Sequence, residues 1–78
     1  MTILCNEDAT ITTSIDHAIV ILIEGGSKRD AMRAIGYALM DCGRLEAASL
    51  INAALLSAYD DKVSDAVSFL TDARLVLA

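Results

Sequence analysis

The sequence predicts an all-α protein, a small antiparallel helical-hairpin stack or bundle of about four helices. Three features predict it. Apolar residues recur at helical spacing over 28–41, 44–58 and 62–76. The stretches that separate the helices are short (GGS, CG and YDD) and rich in turn-forming residues. No proline interrupts any segment. Short connections make consecutive helices antiparallel neighbours.

Residues 1–10 show no helical period and read as an N-terminal arm or short extended segment, ahead of a single helical domain over 11–78. In the next segment, Thr13 and Asp16 have the spacing of a capping box. Ile11, Ile15, Ala18, Ile19 and Leu22 form a helical stripe, and Val20, Ile21 and Ile23 fill the other faces. A helix over 14–24 would thus be buried nearly all round. The β-branched residues make a strand its rival. Gly25 and Gly26 end the segment either way. The second helix has Ser27 as N-cap and Asp30 three residues on. Its core face reads Ala31, Ile35, Ala38, Leu39 and Cys42, and Cys42–Gly43 supplies the stop. The third helix, 44–58, is rich in alanine, which lets a neighbouring backbone come close. The fourth, 62–76, has the stripe Val63, Ala66, Val67, Leu70, Ala73 and Leu77, with Phe69 and Val76 off it.

Composition bounds the function. The 78-residue chain is 55% hydrophobic even before its four glycines are counted, whereas an average soluble domain reaches about 45–50% with glycine included. So small a chain has more apolar surface than one core hides, which points to an interface with another chain. The net charge is −5, with 11 acidic residues against 6 basic, so nucleic acid is not an expected partner. The longest apolar run, Ala18–Ile23, is far short of the roughly 20 residues that span a bilayer, so no membrane association is expected. No basic residue precedes it in the signal-peptide manner, and the expected compartment is cytoplasmic. Cys5 and Cys42 then read as free thiols. Two cysteines at this spacing make no zinc site, and no metal or other cofactor is expected.

Met32, Ile35-Gly36, Gly43, Leu45 and Ala48 fall where the tetratricopeptide (TPR) signature places its large apolar residue, Leu-Gly pair, inter-helix glycine, following apolar residue and second-helix alanine. The stretch 29–60 therefore resembles one TPR hairpin. Leu39 replaces its first aromatic, Asn52 its second, and Asp60 its proline. The resemblance implies that helices two and three touch closely where Gly36 meets Ala47 and Ala48. The helix order also resembles the small chaperones of type III secretion needle subunits, which implies a role in covering an apolar partner helix.

No motif calls for catalysis. His17 is the chain's one histidine, and Asp16 and a cysteine could complete a Cys–His arrangement; a surface role is the plainer account. Cys42 ends a helix, where the macrodipole disfavours a thiolate. Gly25–Arg29 lacks the spacing of a P-loop. Lys28 and Arg29 oppose the dipole of the helix they open, and so are candidates for holding an acidic partner. Asp60, Asp61 and Asp65 lack the calcium-loop pattern and read as N-capping residues. Phe69 and Val76 are candidates for a partner-binding surface; wrapping by the chain itself is the other account. Two function classes follow: a protein-binding module, chaperone or adaptor, and a homodimeric regulator or inhibitor.

Overall fold

A computed structural model describes residues 6–77, with side-chain surroundings from Thr10 onward. It contains four helices: α1 (Asn6–Ile23), α2 (Lys28–Asp41), α3 (Leu45–Tyr59) and α4 (Val63–Leu77). Helix α1 packs most intimately on α2, and α3 on α4. The α2–α3 and α1–α4 approaches are less extensive, and the diagonal pairs do not meet. The architecture is a four-helix bundle of two tight hairpins joined along two looser seams. The α1–α4 contact closes the ring, which an open hairpin stack would leave unclosed.

The core follows from one stripe per helix. Ile11, Ile15, Ala18 and Leu22 are buried on α1, and Ala31, Ala34, Ile35 and Ala38 on α2. Ala47, Ile51, Ala54 and Ala58 are buried on α3, and Ala66, Leu70, Ala73 and Leu77 on α4. Taken in order along antiparallel helices, these residues fall into tiers that mix large with small. Ala18, Ile35, Ala54 and Leu70 share one tier, and Ile15, Ala38, Ile51 and Ala73 the next. The bulky members come from α2 and α4 in the first and from α1 and α3 in the second, so each pair fills space that the alanines leave. No polar or charged side chain is buried among the described residues.

The helix ends show why the turns fall where they do. After α1, the N–H of Gly26 donates to the Ile21 carbonyl at 2.8 Å and that of Gly25 to Leu22 at 3.4 Å. That is a Schellman motif, and Gly25 takes its left-handed position at φ 74°. A Cβ on Gly26 would lie 2.9 Å from Ile21 Cγ2, so the second glycine provides clearance. The same motif ends α3. There Lys62 N–H donates to Ser57 at 2.8 Å and Asp61 N–H to Ala58 at 3.1 Å. Asp61 occupies the left-handed position at φ 64°. Asp60 and Asp61 therefore terminate α3 rather than capping α4, and the Lys62 carbonyl accepts the Ala66 N–H as α4 begins. Ser27 caps α2 as expected, its hydroxyl accepting the Asp30 N–H at 3.3 Å.

Three expectations need correction. Residues 6–10, read as part of an arm, are the first turns of α1; residues 1–5 lie outside the described residues. Thr13 and Asp16 sit inside that helix, where their capping-box spacing has no terminus to cap. Helix α1 is not buried all round either, since Val20 and Ile23 are exposed.

A further correction concerns Gly36. A Cβ there would meet nothing within 4 Å, so the expected close contact with Ala47 and Ala48 is not made. The buried stripe of α2 runs through Ala31, Ala34, Ile35 and Ala38 and leaves Gly36 on the outer flank. Gly36→Ala is accordingly expected to stabilise the fold by about 0.5–1 kcal/mol, because alanine loses less entropy in a helix interior. A lowered melting temperature would show a close neighbour at that position.

Candidate functional site

Two inter-helix contacts orient the surface. Lys28 Nζ lies 3.3 Å from Asp61 Oδ1 and 5.1 Å from the centre of the Tyr59 ring, so it marks the flanks on which α2 and α3 face each other. Arg74 Nε lies 2.8 Å from Asp16 Oδ1 and marks the flanks of α1 and α4. The first contact also explains why a lysine opens α2. Its charge sits at the C-terminal end of α3, where the carbonyls gather negative partial charge, as well as beside a carboxylate. Arg29 is exposed.

A helix turns about 100° per residue, so faces can be followed from the buried stripes. On α2, the flank of Lys28 carries Met32 and Leu39 and then, further out, Gly36 and Met40. On α3, the flank of Tyr59 carries Ala48 and Leu55 and then Leu45 and Leu56. Met32, Leu39 and Leu55 are half-buried against the core and form the floor of the α2–α3 seam. Met40 is 81% exposed, Leu45 83%, Leu56 59% and Tyr59 63%. These four large side chains rim the seam, and Gly36 leaves an opening between them. A second apolar strip follows the α1–α4 seam, with Val20, Ile23, Val63 and Leu75 exposed.

On α4, the residues expected to meet a partner are only partly exposed. Phe69 and Val76 are half-buried and pack against the core, on the flank opposite to that of Arg74. They fall off the stripe because α4 is wrapped by α3 on that side as well as by the core. Phe69→Ala is expected to cost about 1–3 kcal/mol, below the roughly 3–5 kcal/mol of a fully buried phenylalanine. Thermal unfolding checks this; an unchanged midpoint would return Phe69 to the surface.

His17, Ile21, Asp30, Arg33, Ala34 and Tyr37 line an open cleft of about 310 Å³ between α1 and α2. Asp16 points away from it to Arg74, so Asp16 and His17 serve different faces. Cys42, a free thiol, lies 3.5 Å from the Arg44 carbonyl at the other end of α2. The imagined Cys–His–Asp arrangement is thus not assembled by Cys42, and Cys5 lies outside the described residues. Among the described residues no three of His, Cys, Asp and Glu converge as metal ligands would, and no helix is long and apolar enough to cross a membrane.

Comparison with protein-family models, curated proteins and solved structures finds no match.

Proposed function

We propose that the chain is a small protein-binding module, of chaperone or adaptor type, that covers an apolar segment of a partner protein through the α2–α3 seam. The observation that carries this reading is the line of exposed Met40, Leu45, Leu56 and Tyr59 along one seam of a bundle whose core is otherwise complete. Such side chains cost the free protein exposed apolar surface, and covering them is favourable. The resemblance in helix order to needle-subunit chaperones, read from the sequence, agrees with this use of helices two and three, in the cytoplasm and with no catalytic step; the close α2–α3 contact of a TPR hairpin is not part of the reading. The second reading, a homodimeric regulator, draws on the α1–α4 strip of Val20, Ile23, Val63 and Leu75.

The double variant Met40→Glu/Leu45→Glu tests the reading. Both side chains are far into solvent, so the helical spectrum and melting temperature should be nearly unchanged. Binding of an environment-sensitive apolar dye, and of a helical peptide with a leucine face, should fall several-fold. Wild-type binding by the variant would remove the seam from the function. The matching change at Ile23 and Leu75, read by sedimentation mass, addresses the homodimer.

A further inference from the structure

We propose that the occupant of the α2–α3 seam is an amphipathic helix with acidic flanks, belonging to another protein. This rests on the binding-module reading above and names the partner's chemistry. The exposed rim runs the length of α3 from Leu45 to Tyr59, interrupted by the exposed amide of Asn52, about 21 Å at 1.5 Å per residue, which four turns of a docked helix would cover. Near its middle, a Cβ on Gly36 would meet nothing within 4 Å, so no side chain there keeps a docked helix away from the α2 backbone.

Charge then selects the occupant. The chain is net −5, yet four of its six basic residues (Lys28, Arg29, Arg33 and Arg44) lie on α2 or in the turn that follows it. Lys28 is held by Asp61 and Arg33 lines the α1–α2 cleft, whereas Arg29 and Arg44, near the two ends of the α2–α3 seam, form no ion pair among the described residues. An apolar strip bordered by unpaired arginines matches a partner with an apolar stripe and carboxylates beside it. A second copy docking by the same seam would set these arginines against their own counterparts, which costs affinity.

The probes are two synthetic peptides of about 16 residues that share a leucine stripe at i, i+3, i+4, i+7 and i+11. One carries glutamate beside the stripe and the other lysine. Fluorescence anisotropy with the full chain should show the glutamate peptide binding at least about tenfold more tightly, with the gap narrowing at high salt. Arg29→Glu/Arg44→Glu should erase or reverse the preference. Both changes place an acid at a helix N-terminus, where it suits the dipole, so the variant should fold as well as the parent. Equal affinity for the two peptides, or a preference for lysine, overturns the acidic partner and leaves the apolar seam standing. Failure of both peptides to bind overturns the proposal and the module reading together. A concentration-dependent dimer abolished by Met40→Glu overturns it in favour of a second copy.

Discussion

Ile15→Asp is expected to leave the chain unfolded. Ile15 is fully buried in the middle of α1, in a tier with Ala38, Ile51 and Ala73, and among the described residues no polar side chain is buried that could receive a carboxylate. The change removes a fully buried side chain and places an unpaired charge in an apolar site, which costs several kcal/mol at least. A chain of 78 residues has about 4–12 kcal/mol of stability to lose. Val20→Asp, five residues on but half-exposed, should change stability by about 0.5 kcal/mol or less. Far-UV circular dichroism with thermal melting separates the two. Full helicity and a cooperative melt for Ile15→Asp would mean that α1 does not belong to the core.

What was legible in the sequence was the information carried locally. Ser27 with Asp30 marked the start of α2, and paired glycines marked the end of α1, because caps and turns are made by residues a few positions apart. The apolar stripes of α2, α3 and α4 were readable for the same reason. The start of α1 was obscured by Thr13 and Asp16, whose spacing imitates a cap in mid-helix. Asp61 was assigned to the wrong helix because a left-handed aspartate closing α3 and an aspartate capping α4 look alike in sequence. The candidate site depended on longer reach. Lys28 opposed the dipole of its own helix, and the balancing C-terminus belongs to α3, far along the chain. The excess of apolar residues foretold an uncovered surface, but periodicity could not say which seam would stay loose. Phe69 and Val76 stand off their stripe in the sequence just as exposed residues would, and only the packing of α3 against α4 shows them half-buried. Gly36 matched a family position for close contact, whereas the structure turns it outward.

Leu70→Ala is expected to cost about 2–5 kcal/mol, and Ala54→Leu to recover part of that loss in the double variant. Leu70 and Ala54 are both fully buried, on neighbouring helices α4 and α3, in the tier that also holds Ala18 and Ile35. Removing the leucine leaves a cavity beside three small or β-branched neighbours that cannot fill it. Ala54→Leu alone forces extra volume against Leu70 and should cost about 1–3 kcal/mol by overpacking. Together the two changes conserve the volume of the tier and move its bulk from α4 to α3. The double variant should therefore be more stable than the sum of the single losses predicts, with a coupling of about 1–2 kcal/mol. In a domain of this size each kcal/mol moves the melting temperature by about 4–8 °C, so calorimetry resolves the coupling. Losses that add to within about 0.5 kcal/mol would place the two side chains in separate tiers. The alternation of large and small residues would then not be what sets the register between the α3–α4 hairpin and the rest of the bundle.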